Sequence, residues 1–346
     1  MLNRLRLIGG TMSPYSRKMV ALLRYRHIPY QIIWGDINQK LTEFSIEKPK
    51  PVLYPVFLMP DENGREIATV DSTPIIRTLE GMYEGRSVLP DNPALAFINY
   101  LLEDFGDEWL TKYMFHYRWT NERDIDEAKS KLVYSSMVTA PSDFAKEFAE
   151  TFGERQIGRL FWVGSNDMTA PLIEASYKRF LALMDKHIET QPFLLGARPC
   201  SADFAVFGQL TQLIAVDSTP REIAHNISKR TVSWVDIMED QSGLDPDMSG
   251  WNDPDNLPDT MIDILREVGR TYVPTMIANA KAAKAGEKEW SCELDRATWQ
   301  QPVNAYQAKA LGWVRNEFEK LDTANRNHVR SILDNTGCEA LVEDIQ

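Results

Sequence analysis

Two serines three residues apart, Ser13 and Ser16, enclose Pro14 and Tyr15 between an apolar run, Leu5-Arg6-Leu7-Ile8, and a helix-like run from Arg17 to Tyr25. A tight loop from strand to helix presents its side chains at a helix N-terminus, where unpaired backbone N–H groups and the macrodipole favour an anion. Cysteines at 13 and 16 would make this a dithiol redox loop, because a thiolate gains stability in that place. With serines at both positions the loop closes no disulfide. It offers a hydroxyl and backbone N–H groups to the thiolate of a thiol brought in from outside. Ser13, directly before Pro14, also suits a plain helix N-cap, and the loop alone does not separate the two roles. Between the two serines, Ser13 lies closer to the end of the strand, in the attacking position of such a loop. Ser16 takes the resolving position, which faces the helix interior.

Two more places carry polar groups on predicted element ends. Tyr54-Pro55 opens a short apolar run through Met59, and Asp71-Ser72 starts a helix with Pro74 in its first turn. Asp71-Ser72 offers a carboxylate to an ammonium, while the hydroxyl and the helix N–H groups meet a carboxylate. Ordinary capping is the other use of that pair. The elements that must hold these residues read as strand 5–9, helix 15–25 and strand 28–34. A polar, irregular stretch follows over 36–50, then a strand over 54–59, the turn Asp61-Glu62-Asn63-Gly64, a partner strand over 66–70 and the helix from Asp71. A β-α-β opening favours a parallel pair with a right-handed crossover, and the Asn-Gly turn favours a hairpin. The order over 1–84 is β-α-β-α-β-β-α.

That order resembles the thioredoxin-like N-terminal domain of glutathione transferases. Ser13-Pro14-Tyr15 is similar to the loop of the serine-type members, whose serine activates glutathione. Tyr54-Pro55 is similar to their Val-Pro step, with a cis proline and a preceding residue that pairs its backbone with the glutathione cysteine. Asp71-Ser72 with Ile75 is similar to their Glu-Ser-x-x-Ile motif, which holds the γ-glutamyl group. The resemblance implies Ser13 as the catalytic residue and Tyr54, Pro55, Asp71 and Ser72 as glutathione-binding residues. Lys40 and Lys50 are candidates for the glycine carboxylate, though lysines in a polar loop are otherwise simply solvated.

Past a Gly/Pro-containing linker at 84–93, strand signals almost vanish, and 93–346 reads as an all-helical domain. A helical stretch over 93–118 carries Trp109, Tyr113, His116 and Tyr117 near its end. In the resembling family this helix lines the second-substrate pocket, which makes these four, with Tyr15, the expected pocket wall. Aromatic clusters of this kind also serve as plain core. An amphipathic helix spans 171–188, and Cys200-Ser201-Ala202-Asp203 is similar to a buried capping box of the family, with a cysteine at the cap. Residues 242–346 extend beyond the usual family plan: a Gly/Pro/Asp-rich insertion over 242–258, then helical stretches at 259–285 and 304–322. Leu311, Val314, Phe318 and Leu321 give the last one an apolar stripe that must pack on something, more fittingly the helical domain than the sheet.

Composition narrows the partners. The chain has 346 residues and a formal net charge of −12, which argues against nucleic acid and anionic membranes. No apolar run approaches the roughly 20 residues of a membrane span, and Met1-Leu2-Asn3-Arg4 leads into the first strand without a signal peptide. Cys200, Cys292 and Cys338 form no Cys-x-x-Cys pair, which suits reduced thiols in the cytoplasm. The five histidines are scattered, so no metal is expected. Together the residues and the resemblance predict a cytoplasmic, homodimeric, detoxification-type enzyme. It would activate the glutathione thiol, as co-substrate, for attack on an electrophilic small molecule or a peroxide. The alternative is a non-catalytic module of the same fold used for binding or assembly. A thiol oxidoreductase would need a cysteine in the loop.

Overall fold

Leu5, Leu7 and Ile8 are buried along β1 (Leu5–Ile8), as expected for an apolar run at the centre of a sheet. The structure is a computed structural model that describes residues 4–247 and 249–343, so the Met1–Asn3 start lies outside the described residues. The helix α1 (Pro14–Tyr25) carries the chain from β1 to β2 (Tyr30–Ile33), and the two strands pair in parallel from Leu5 opposite Tyr30 to Ile8 opposite Ile33. On its other side β1 pairs antiparallel with β3 (Val56–Pro60), Ile8 opposite Val56. The Asp61–Gly64 turn, with Gly64 at φ +76°, returns the chain as β4 (Glu66–Thr69). The sheet order is β2-β1-β3-β4, and α3 (Ser72–Met82) follows. The stretch over 36–50 is less irregular than expected. Asp36 caps a short helix, α2 (Ile37–Glu43), by accepting from the Gln39 N–H at 2.9 Å, and only Ile37 and Leu41 are buried on it. Two apolar residues are too few for a periodic signal.

The helical region begins with α4 (Pro93–Glu108) and α5 (Leu110–Thr120), two helices broken at Trp109 where one was expected. It continues with α6 (Glu122–Leu132), α7 (Ser142–Ile157), α8 (Ala170–Ile188), α9 (Ser201–Thr211), α10 (Ser218–Ile227) and α11 (Lys229–Met238). Every residue of α9 is buried, and it packs on both α4 and α1. Gly208 makes the α1 contact close: a Cβ there would stand 2.6 Å from the Pro14 carbonyl oxygen. Asp203 caps α9 as expected, accepting from the Cys200 N–H at 2.8 Å.

After residue 241 come α12 (Asp259–Ala285), the strands β5 (Glu289–Leu294) and β6 (Ala297–Pro302), then α13 (Ala305–Glu319) and α14 (Thr323–Leu333). The hairpin is the departure from an all-helical domain. Trp290 and Leu294 alternate with exposed neighbours on β5, and the turn runs through Asp295 and Arg296, at φ +50° and +65°. Two positive φ values fit a hairpin turn, but Asp-Arg lacks the glycine that would announce one. As expected, α12 lies on α8 and α4, and α13 and α14 lie on α4, burying Leu311, Val314 and Phe318, while Leu321 at the end of the stripe is only half-buried.

Candidate functional site

Ser13 takes extended backbone angles and caps α1. Its Oγ accepts from the Ser16 N–H at 3.2 Å, and Pro14 fills the first helical position, where no N–H is needed. The cap uses the hydroxyl as acceptor and leaves its proton to donate. Ser16 is buried, its Oγ accepting from the Gly10 N–H at 3.3 Å. Tyr54–Pro55 is a cis peptide that leads into β3 beside the end of β1. The Tyr54 hydroxyl donates to the Gly35 carbonyl at 3.2 Å, and burial raises the pKa of that phenol. Ser13, Met12 and Tyr54 line one side of a cavity of about 190 Å³. The other side comes from the end of α6 and from α7: Leu132, Val133, Met137, Phe144, Phe148 and Phe152. The connection between α6 and α7 is tied to the serine loop, since the Thr11 N–H and hydroxyl both donate to the Ser135 carbonyl, at 3.2 and 3.3 Å.

Asp71 caps α3 at φ +81°, a strained angle for a side-chain-bearing residue, with Oδ1 accepting from the Thr73 N–H at 3.3 Å. Ser72 is buried and its Oγ accepts from Lys18 Nζ at 3.0 Å. Lys18 also donates to Glu103 Oε1 at 2.9 Å and Asp107 Oδ2 at 2.6 Å. Glu103 further accepts from Thr73 at 3.0 Å, from Ser201 at 2.7 Å and from Arg77. Burial opposes the Glu103 charge, but Arg77 and Lys18 outweigh it and hold the carboxyl down to about 2. Burial likewise opposes the Lys18 charge, and Asp107 and Glu103 reverse it, raising the ammonium pKa. A charge placed in the interior survives only with partners of this quality. Ser72, like Ser13, keeps a proton to donate.

The other expected site residues lie elsewhere. Lys40 pairs with Glu43 at 2.8 Å beside an adjoining cleft lined by Thr11, Trp34 and 134–139. Lys50 is exposed, ahead of a second cis proline, Pro51. Trp109, Tyr113, His116 and Tyr117 are buried core and do not line the Ser13 cavity. Trp109 Nε1 donates to the Tyr113 hydroxyl at 2.8 Å, Trp109 packs on Trp299 at 5.2 Å, and Tyr113 and Tyr117 pack on Tyr177 at 5.5 and 5.3 Å. His116 Nδ1 bonds Ser165 Oγ at 2.8 Å, and burial lowers its pKa. With Tyr177 of α8 packed on Tyr113 and Tyr117, and Trp299 of the hairpin on Trp109, these rings face inward. Tyr15 donates its hydroxyl to the Asp107 carbonyl at 2.9 Å, toward α4 and away from the aromatic wall. The wall that the sequence reading missed, Phe144, Phe148 and Phe152, does carry a signal: three rings at four-residue spacing on an otherwise polar helix. Phe144 and Phe148 are tilted to each other at 6.1 Å, Phe148 and Phe152 stack at 5.6 Å, and Phe144 and Phe148 are exposed.

Solved structures similar to the chain include a glutathione S-transferase from Rhodospirillum rubrum F11, at 18% identity and TM-score 0.42, covering 68% of this chain and 87% of that one. FzlA from C. crescentus is similar at 17% identity and TM-score 0.43, over 67% and 86% of the two chains. A glutathione transferase family member from Pseudomonas fluorescens pf-5, with two glutathione bound, is similar at 14% identity and TM-score 0.42, over 68% and 86%. No curated protein matches the chain. The family model described as "Glutathione S-transferase, N-terminal domain" matches residues 7–87, which contain Ser13, Tyr54-Pro55 and Asp71-Ser72. Residues 7–87, a thioredoxin-like sheet with its helices, are thus similar to a glutathione S-transferase N-terminal domain, and a mostly helical region follows them.

Proposed function

We propose that the chain is a glutathione transferase-type enzyme that activates the glutathione thiol for attack on an apolar electrophile. The observation that carries the reading is the single cavity shared by the Ser13 hydroxyl, Tyr54 at the cis-proline step and the Phe144, Phe148 and Phe152 wall. In this mechanism the Tyr54 backbone holds the cysteinyl residue, and Asp71 and Ser72 hold the γ-glutamyl end. The Ser13 hydroxyl donates to the sulfur, and the N-terminus of α1 adds a positive field. The thiol proton leaves to solvent, the thiolate forms a bond to the electrophilic carbon, and the leaving group departs with the electron pair. The enzyme binds, orients and stabilises the anion and forms no covalent bond to substrate. The cytoplasmic, homodimeric setting and the detoxification role expected from the resemblance belong to the same reading. The three cysteines are all free thiols, and among the described residues no helix is long and apolar enough to cross a membrane.

The test is the ultraviolet titration of the thiolate of bound glutathione in the wild type, Ser13→Ala and Ser16→Ala. A hydrogen bond to a charged group contributes about 1.5–3 kcal/mol. Ser13→Ala is therefore expected to raise the thiol pKa by about one to two units, with activity lost at neutral pH and partly regained in alkali. Ser16→Ala should move the titration far less, because its hydroxyl is turned inward on Gly10. An unmoved titration in Ser13→Ala would remove that residue from the chemistry. Glutathione affinity with no turnover of any electrophile would leave a binding module.

A further inference from the structure

The extension after residue 241 rests almost wholly on helices, yet one of its side chains reaches the N-terminal domain. Tyr306, in the first turn of α13, donates its hydroxyl to Asp71 Oδ2 at 3.0 Å. Its place is fixed from behind. Asn304 caps α13, accepting from the Tyr306 N–H at 2.9 Å and the Gln307 N–H at 3.3 Å. Asn304 is itself pinned to fully buried Asn279 of α12 by two reciprocal bonds, each 2.8 Å. Moving Tyr306 off Asp71 by sliding α13 would leave buried amide groups unpaired, which is costly.

Asp71 thus receives one donor on each carboxylate oxygen, the Thr73 N–H on Oδ1 and Tyr306 on Oδ2. Each oxygen retains lone-pair capacity for another donor. Acidic side chains surround Asp71, with burial pushing the Asp107 carboxyl up to about 6 and that of Glu108 up to about 7. Asp107 and Glu108 of α4 both interact electrostatically with Asp71, and Gln307, next to Tyr306, bonds the Glu108 carboxyl. Lys18 is already shared by Glu103 and Asp107, and Asp107 Oδ1 is buried with no hydrogen-bond partner. An ammonium, with three donors and a positive charge, complements a carboxylate held in this way.

We propose that the C-terminal extension is part of the ligand site, Tyr306 being a positioning residue that holds the Asp71 carboxylate for the free α-ammonium of a γ-glutamyl peptide. The inference rests on the glutathione reading above and adds to it a determinant outside the matched domain. Tyr306→Phe removes the hydroxyl alone and keeps the ring, which meets Trp313 edge-on at 5.7 Å. Calorimetry on the full chain compares glutathione with its des-amino analogue, in which hydrogen replaces the α-amino group. The wild type should prefer glutathione. Tyr306→Phe should weaken glutathione about three- to tenfold and leave the analogue unchanged, and Asp71→Asn should narrow the same ratio further. Equal weakening of both ligands, no change in either, or tighter glutathione binding would each overturn the inference, the last by showing that Tyr306 competes with the ammonium. A wild type that binds neither ligand would overturn the glutathione reading itself, and this inference with it.

Discussion

The two ends of the candidate site are built from opposite materials. Around Ser72, the side chains of Lys18, Glu103 and Ser201 are buried and joined by short hydrogen bonds, with Arg77 closing the set. Beyond Ser13, the wall is a row of adjoining phenylalanines on a helix that is half open to solvent. On the proposed function, the Ser72 end would meet one fixed, charged ligand and has to be locked in advance, because a misplaced buried charge costs more than the ligand returns. The Ser13 end would then meet apolar molecules of varied shape, which need area rather than fixed donors, and exposed rings supply it.

The contrast breaks most visibly at Lys18. Lys18→Met should cost about 3–5 kcal/mol of stability, because it strands Asp107 and half of the Glu103 pairing in the interior. Urea unfolding measures it, and a loss under 1 kcal/mol would show the polar end to be far less locked than described. Acid sharpens the same point. Glu103 titrates well below its unfolded value, so its contribution is present above about pH 4.5 and is lost as pH falls toward 2. That contribution is about 3 kcal/mol. Urea unfolding from pH 7 to pH 2.5 should therefore give a steeper acid limb in the wild type than in Glu103→Gln, and equal limbs would place the acid sensitivity elsewhere. The smallest effect on the fold belongs to the apolar end. Phe148→Ala should change stability by no more than about 1 kcal/mol, yet lower kcat/KM for apolar electrophiles about fivefold. Unchanged kcat/KM across a graded series of alkyl chain lengths would remove α7 from substrate contact.

The same contrast governs what could be read from sequence. Ser13, Tyr54-Pro55 and Asp71-Ser72 stand on element boundaries, where proline, serine and aspartate announce themselves through caps and turns, and the structure places all three motifs on those boundaries. Trp109, Tyr113, His116 and Tyr117 misled, because a ring carries no mark of which side of a helix will be covered. What covers them comes from distant parts of the chain: Tyr177 of α8 on Tyr113 and Tyr117, and Trp299 of the β5–β6 hairpin on Trp109. The Phe144, Phe148 and Phe152 stripe was legible by period but had no partner nearby to identify it. Tyr306 was not legible at all: it meets a residue 235 positions away, through an angle of α13 set by Asn279.

Gly208 has a consequence for motion. With no side chain between them, α9 and the first turn of α1 touch through the Pro14 backbone, and a Cβ on Gly208 would also come within 3.1 Å of Lys18 Cβ. The turn that carries Ser13 is therefore seated on the most buried helix of the molecule, and the sheet and the helices cannot swing apart there as two leaves of a hinge. On the proposed function, entry and departure of a bulky product would fall instead to the connection between α6 and α7, which is joined to the serine loop through Thr11 at the Ser135 carbonyl. If the proposed function holds, Ser13 stays seated on α9 while the connection beside it is held by the two Thr11 bonds to the Ser135 carbonyl.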